Sequence, residues 1–197
     1  MRLSRGWEFS LESLREGDLK FDTLGDMLYL LRHLLSILVL PFTVTVIVPL
    51  WLLRNDVSRD FAPQGPWVRL LVLGAGAAAL LSGLTLFIST LTHFARTGRG
   101  TLAPWDPPRV LVVQGVYRYV RNPMISGVLS ILLAEALLTG SRRIFLWLIL
   151  FLTINLVYIP LLEEPGLVAR FGERYRLYKK NVPRWLPRVK PWIPPWE

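Results

Sequence analysis

The sequence predicts an all-α fold, an integral membrane helical bundle with about four transmembrane helices and a C-terminal amphipathic helix on the cytoplasmic side. Three observations predict it. Of the 197 residues, 52% are hydrophobic, which is more than soluble domains usually contain. Four apolar runs come close to the roughly 20 residues that cross a bilayer as a helix. Lysine and arginine cluster outside these runs, mainly on one side of the predicted bundle.

The apolar runs cover residues 34–53, 70–92, 123–141 and 144–162. Proline inside the first run is expected to bend that helix rather than end it. Small residues at helical spacing in the second run predict two strips where another helix approaches closely: Ala75, Ala79 and Gly83, and Gly74, Ala78 and Ser82. Only Arg142 and Arg143 separate the last two runs, so we expect an antiparallel helical hairpin there.

The segment after the last run predicts an amphipathic helix. Its apolar positions recur at helical spacing, at Leu167, Phe171, Tyr175 and Tyr178. The predicted helix includes Gly172. Prolines forbid helix after Asn181, and three tryptophans there suit an anchor at the level of the lipid headgroups: Trp185, Trp192 and Trp196.

Basic residues give the orientation. Outside the apolar runs, 17 lysines and arginines fall on one side of a four-helix arrangement and 5 on the other. Because positive loops remain cytoplasmic, both termini are predicted to be cytoplasmic, in the inner membrane if the source is bacterial. The formal charge of +9 then points to anionic lipid headgroups as partners rather than to nucleic acid.

The sequence is divided into three regions. Residues 1–26 form a mixed-charge cytoplasmic or interfacial segment, residues 27–92 hold the first two transmembrane helices, and residues 93–197 form the functional core. The chain has no cysteine and two histidines. This excludes a thiol nucleophile and leaves too few ligands for a histidine-rich metal centre, so no metal is expected.

The candidate functional site begins in the connector before the hairpin. Residues 115–127 combine glycine, tyrosine and arginine directly against an apolar run, where charges are costly unless they face water or a polar ligand. A hairpin returns the chain to the side it left. We therefore expect Arg121, Asn122 and Pro123 to lie close to Glu163 and Glu164.

The residue types of this cluster suit a ligand with several kinds of group. Arginines and backbone N–H groups near Gly115 suit a carboxylate or phosphate, glutamates suit ribose hydroxyls or an ammonium, and tyrosine faces suit a sulfonium or a purine. S-adenosylmethionine has most of these features. A charge network that only anchors the hairpin explains the same residues equally well.

Glu135 is a separate candidate because a carboxyl inside a membrane segment is a functional candidate by default. A structural or pocket-lining role is favoured over a catalytic one. A protonated side chain, a hydrogen bond across helices, and an ion pair with Arg142 near the far interface are the alternatives.

The chain resembles the superfamily of isoprenylcysteine carboxyl methyltransferases and phospholipid methyltransferases, which are integral membrane enzymes. The resemblance covers roughly residues 95–190. It is carried by the order and spacing of Gly-Arg-Gly-Thr-Leu-Ala-Pro at 98–104, Gly-Val-Tyr-Arg-Tyr-Val-Arg-Asn-Pro-Met at 115–124 with Gly127, the Glu163-Glu164 pair, and Phe171-Gly172 through Tyr175 and Tyr178 to Val182-Pro183-Arg184.

The resemblance implies S-adenosylmethionine as the methyl donor and a lipophilic acceptor, a carboxylate, amine or thiol, that enters from the bilayer. The cofactor-binding residues are then Gly115, Tyr117, Arg121, Asn122, Pro123, Glu163, Glu164, Tyr175 and Tyr178. The catalytic candidates are Glu163 and Glu164, as the base that an amine acceptor needs, and Arg184, as a contact for the acceptor headgroup or a lipid phosphate.

One position departs from the isoprenylcysteine enzymes, which usually have histidine where this chain has Asn122. The Asn-Pro-Met sequence at this position resembles the lipid-amine methyltransferases more closely. Asparagine can orient a ligand but cannot become a cation. Two other functions stay open at this point: an NADPH-dependent membrane reductase of the sterol-reductase type, and a non-catalytic membrane scaffold.

Overall fold

The computed structural model describes residues 38–55, 65–97 and 111–196. Every regular element in these ranges is helical, which confirms the all-α prediction for this part of the chain. Residues 1–26 and the Gly98-Arg99-Gly100 motif lie outside the described residues. The three-region division stays a prediction.

Helix α1 is π-helical over Leu38–Ile47 and α-helical over Val48–Arg54. The wider turn coincides with Pro41, which lacks the N–H that an α-helical hydrogen bond needs. The Thr45 hydroxyl donates to the Pro41 carbonyl within the same helix, at 2.8 Å. The described apolar part of α1, Val39–Arg54, is shorter than a full membrane crossing.

Helix α2, Pro66–Thr97, holds an apolar stretch of 28 residues that is long enough to cross a membrane. Its contact with the next helix depends on glycine. A Cβ on Gly83 would lie 2.9 Å from the carbonyl oxygen of Gly127, and a Cβ on Gly127 would lie 3.0 Å from that of Gly83. The backbones of α2 and the next helix therefore lie so close together that only glycine fits at these two positions.

The predicted strips are correct only in part. Gly83 belongs to the contact, and so does Gly76, which was not in either strip. The other residues of the two predicted strips are exposed, apart from the half-buried Ala79: Gly74, Ala75, Ala78 and Ser82. Several large apolar side chains of α2 are exposed as well, and Leu71 is 73% exposed. On a helix of membrane length, such a surface is suited to lipid.

The predicted hairpin is present. Helix α3, Pro123–Thr139, ends at Gly140, whose φ of 67° provides the left-handed C-terminal turn. The Ser141 hydroxyl then accepts a hydrogen bond from Ile144 N and caps helix α4, Arg142–Tyr158. The link is thus Gly140-Ser141, and the two arginines belong to the first turn of α4.

Helix α4 continues through a π-helical turn, Ile159–Glu163, into helix α5, Glu164–Phe171. The apolar stretch Arg142–Phe171 is the second segment long enough to cross a membrane, while α3 is shorter. The described residues thus contain two segments of full length and two shorter apolar helices. The count of four crossings stays a prediction.

The helices of the bundle are joined by packing and by two long-range hydrogen bonds. Val128, Leu132 and Leu148 form its buried centre between α3 and α4. Trp147 Nε1 donates to the Val44 carbonyl at 3.0 Å, and Arg143 Nη1 donates to the Asn55 carbonyl at 2.9 Å. Both bonds hold α4 against α1.

The prediction of one continuous amphipathic helix after residue 163 is wrong. The chain breaks at Gly172, with φ 55° and ψ −131°, between α5 and helix α6, Glu173–Asn181. This backbone conformation favours glycine. Tyr175 and Tyr178 are buried on α6, and its charged residues are exposed. From Val182 onward the chain is non-helical, as the prolines predict.

Candidate functional site

A tight turn at Gly115–Arg118 carries the connector past the end of α2. Gly115 has φ 54°, a left-handed conformation that glycine adopts without penalty. A Cβ at this position would overlap the ring of His93. That ring is held because its Nδ1 donates to the Ser89 carbonyl, at 2.9 Å. Both the backbone conformation and the lack of space therefore require glycine.

Tyr117 joins this turn to two helices. Its hydroxyl is hydrogen-bonded to Thr90, which is fully buried on α2, and its carbonyl accepts a hydrogen bond of 2.7 Å from the Tyr178 hydroxyl. Burial raises the pKa of the Tyr117 and Tyr178 hydroxyls. Both phenols therefore stay protonated and act as neutral hydrogen-bonding groups.

The C-terminal tail is hydrogen-bonded along the connector. Backbone hydrogen bonds run from Arg121 N to Pro183 O, from Asn122 N to Arg184 O, from Arg188 N to Tyr119 O and from Trp192 N to Arg118 O. Their lengths are 2.9 to 3.3 Å. The tail therefore fixes the position of the connector backbone at four residues.

Glu164 is the centre of the ionic contacts. It is 1% exposed, and its carboxylate is paired with Arg121 at 2.7 Å, Arg184 at 2.8 Å and Lys179 at 2.6 Å. These partners come from the connector, the tail and α6. One buried carboxylate thus fixes three separate segments, and its loss would leave several charges without compensation.

Exposure differs among the three cations. The Arg121 side chain is 8% exposed, whereas those of Arg184 and Lys179 are 24% and 45% exposed. Glu163 is half-buried beside them and interacts electrostatically with Arg121 and Arg184. The cations outnumber the two carboxylates by one, so the open side of the cluster favours an anionic group.

Arg121 is held on several sides. Its Nε donates to the Val182 carbonyl at 2.9 Å, and its Nη1 donates to Glu164 and, at 3.4 Å, to the Tyr175 hydroxyl. Burial raises the pKa of Tyr175. The guanidinium is therefore fixed by three partners and serves as the centre around which the site is built.

Asn122 and Pro123 stand at the start of α3. Pro123 is fully buried at the first helical position, where its missing N–H has no cost. The Asn122 side chain does not cap the helix. Its Nδ2 is buried and has no hydrogen-bond partner in the described part of the chain. A buried donor without a partner is costly, which makes this amide a candidate donor to a ligand.

Tyr175 and Tyr178 belong to a packed aromatic cluster and do not line an open pocket. Each is 3% exposed, and they pack with Val113 and Val182. Two of the three tryptophans that the sequence assigned to the headgroup region extend this cluster. Trp192 lies 5.9 Å from Tyr178, and Trp196 lies 5.6 Å from Trp192, measured between ring centroids.

The structure brings the predicted site residues together. Arg121 and Glu164, 43 positions apart in sequence, are in contact, as the hairpin topology predicts. The ligand-binding and catalytic roles assigned to these residues stay predictions. Two residues with clear contacts were missed, Lys179 and His93. Lys179 could have been found because it lies four positions after Tyr175, on the same face of α6.

The comparisons with known proteins agree with the resemblance noted from the sequence. The model of the phospholipid methyltransferase family matches residues 71–174, more than half of the chain. This range includes the connector, the hairpin and Glu163-Glu164, and ends just before Tyr175. No solved structure matches the chain.

Three relatives illustrate the relationship. The chain is 39% identical over 75 residues to a methanethiol S-methyltransferase of Pseudomonas deceptionensis, covering 38% of this chain and 28% of that protein. It is 31% identical over 92 residues to a phosphatidylethanolamine N-methyltransferase of Botryotinia fuckeliana, covering 45% of this chain and 9% of that one. An uncharacterised protein of Haemophilus influenzae is 38% identical over 63 residues, which are 32% of this chain and all of that protein.

The chain therefore spans less than a third of the two relatives that have assigned activities. The evidence for the family comes from the length of the family match and from the residues that carry it. The connector, the hairpin and the acidic pair lie within the matched range, in the order and spacing that the sequence resemblance requires. This chain belongs to the phospholipid methyltransferase family.

Proposed function

We propose that this chain transfers a methyl group from S-adenosylmethionine to a lipophilic or membrane-associated acceptor that carries an amine, thiol or carboxylate. The observation that carries the proposal is the contact of Arg121 with Glu164. It joins the connector before the hairpin to the acidic pair after it, within the stretch that matches the family.

The donor groups of the site fit the methionine end of this cofactor. Asn122 Nδ2 is buried without a partner in the described structure, and an amide N–H is a suitable donor to a carboxylate. The excess of cations around Glu164 favours the same anionic group. Arg184 and Lys179 are the exposed members of that cluster, so they are the cations that a ligand reaches.

Glu163 and Glu164 take different parts in the proposal. Glu164 is 1% exposed and paired with three cations, so it positions Arg121 and the tail. Glu163 is only half-buried and is the carboxylate that remains for the ribose hydroxyls or the ammonium group of the cofactor.

When bound, S-adenosylmethionine supplies a methyl group that the lone pair of the acceptor takes in one displacement, while the electron pair of the carbon–sulfur bond remains on sulfur. The chain contributes chiefly by holding the reacting groups in line. A thiolate or carboxylate acceptor needs no base. A protonated amine needs one, and Glu163 is then the group that accepts the proton.

The acceptor is proposed to enter from the bilayer toward the cytoplasmic end of α3. The apolar stretches of α2 and of α4–α5 present exposed aliphatic side chains, which suit a lipophilic molecule in lateral contact with the bundle. Anionic headgroups at the same level would be attracted by the exposed basic residues of α6.

The test is calorimetric titration of the full, detergent-solubilised chain with S-adenosylhomocysteine and, separately, with NADPH. We expect binding of the first ligand only. Glu163→Gln should weaken it, while Glu173→Gln, which removes an exposed carboxylate on α6, should not. Binding of NADPH alone would indicate a reductase, and binding of neither would indicate a scaffold.

The acceptor is identified by incubating native membranes with the protein and a methyl-labelled donor. Label that partitions into organic solvent indicates a lipid, label that stays with protein indicates a protein acceptor, and volatile label indicates a small thiol. Protein with the Asn122→Ala substitution should transfer less label than wild type in each case. Equal transfer by both would contradict the assignment of this site.

A further inference from the structure

Glu135 lies well away from the site described above. It follows Pro123 by twelve residues on α3, which is about 18 Å along the helix axis at 1.5 Å per residue. Its carboxyl atom Oε2 is buried and has no hydrogen-bond partner in the described part of the chain. No ion pair joins it to Arg142 there, although the sequence allowed one. A buried, unpartnered carboxyl oxygen is costly unless a ligand completes it.

Glu135 lines a half-open pocket of about 160 Å³ between α1, α3 and α4. The other residues around it are largely apolar and include Val46, Leu50, Leu53 and Ile144. A closed apolar cavity of about this volume holds a molecule as large as benzene, and this pocket is open on one side, so a longer molecule can extend out of it. The pocket is thus large enough for a small apolar group such as a single ring and too small for a drug-sized ligand.

The other polar side chains that line the cavity are two threonines, and their hydroxyl hydrogens are already used. Thr45 Oγ1 donates to the Pro41 carbonyl at 2.8 Å, and Thr139 Oγ1 donates to the Glu135 carbonyl at 2.6 Å. Each hydroxyl can therefore offer only lone pairs to a ligand. An ionised Glu135 likewise only accepts, so a complementary ligand must supply hydrogen-bond donors.

We propose that this cavity binds a protonated amine carried on a small apolar body, or on the end of a longer amphiphile, with the ammonium group on Glu135. The positive charge of the ammonium group pairs with the half-buried Glu135 carboxylate, its N–H groups donate to that carboxylate and the threonine oxygens, and the hydrocarbon part packs against the apolar residues of the pocket. The site is separate from the one proposed for methyl transfer and does not depend on it.

The experiment compares benzylammonium with benzyl alcohol by calorimetric titration of the full chain in detergent, with detergent alone as the blank. The two probes have the same ring and differ in charge and in the number of donors. We expect the wild-type protein to prefer benzylammonium about tenfold or more, which is the usual worth of a hydrogen bond to a charged group. Glu135→Gln should remove this preference, and Glu173→Gln should retain it.

Equal affinity of the wild-type protein for both probes, or binding of neither, would overturn the proposal. A preference that survives in Glu135→Gln would do so too. Competition by S-adenosylhomocysteine would place the amine in the other site and would also refute the inference. The comparison of probes on the wild-type protein stands even if the Glu135 variant does not fold, and Thr45→Val, which alters the same cavity from α1, should weaken benzylammonium severalfold.

Discussion

Replacement of Glu164 by glutamine tests the ionic centre of the site directly. Glu164→Gln keeps the shape and an acceptor oxygen but removes the charge that faces Arg121, Arg184 and Lys179. Lys179 and Arg184 are partly exposed and regain hydration. Arg121 is 8% exposed and cannot. The cost is therefore that of one broken buried ion pair, about 3 kcal/mol at the lower end of the measured range because the amide still accepts a hydrogen bond.

For a chain of this length, about 3 kcal/mol corresponds to a fall of roughly 6–12 °C in Tm. The assay is thermal unfolding of the detergent-solubilised protein, followed by circular dichroism. Glu173→Gln is the matched control because it removes a carboxylate from an ion pair with Arg176 whose side chains are 81% and 61% exposed. Such a pair contributes about 0.5 kcal/mol, or roughly 1–2 °C.

A double-mutant cycle with Arg121→Gln separates this pair from its surroundings. The two substitutions should destabilise together by clearly less than the sum of their single effects, because each removes the same interaction. The reasoning is refuted if Glu164→Gln melts within about 2 °C of the wild-type protein, or if the two effects simply add.

Three further outcomes follow from individual contacts. Gly115→Ala should lower Tm and abolish binding of S-adenosylhomocysteine, because φ is 54° and the His93 ring occupies the space of the new Cβ. The control is Gly166→Ala, whose new Cβ would have no atom within 4 Å. It should leave Tm unchanged or slightly raised. Asn122→Ala should weaken the same ligand about tenfold with little effect on Tm, because its Nδ2 has no protein partner to lose; a large fall in Tm would contradict this. Tyr178→Phe removes the hydrogen bond to Tyr117 and should cost about 1 kcal/mol. Since burial raises the pKa of Tyr178 above 10.0 in the folded state, the unfolded chain releases its proton first, so stability should fall as the pH rises past 10, and less so in the phenylalanine variant; unfolding at pH 9 and pH 11 measures this.

The apolar runs and the short link between the last two runs were sufficient to predict helices and the hairpin. Uncharged stretches of about membrane length predicted helices, because a backbone buried in lipid must form its hydrogen bonds internally. The short link after α3 gave the hairpin. The hairpin in turn predicted that Arg121 lies near Glu164, and the distance of 2.7 Å confirms it. That prediction needed only connectivity.

Helix continuity was less predictable. Leu167, Phe171, Tyr175 and Tyr178 repeat at helical spacing, and this pattern is the same whether or not the helix breaks at Gly172. The break depends on how α6 packs its two tyrosines against Val113 and Val182. The contact with Val113 joins segments more than 60 positions apart, and no local period predicts it.

The sequence by itself determined the helical class, the hairpin and the closeness of Arg121 to the acidic pair. Only the tertiary structure decided the partners: that Glu164 rather than Glu163 takes the three cations, that Lys179 is one of them, and that Asn122 Nδ2 and Glu135 Oε2 have no protein partner in the described structure. The physical reason is that a hydrogen bond or ion pair requires two groups at a particular distance and orientation. Spacing along one helix does not fix that geometry when the partner arrives from the tail, another helix or a ligand.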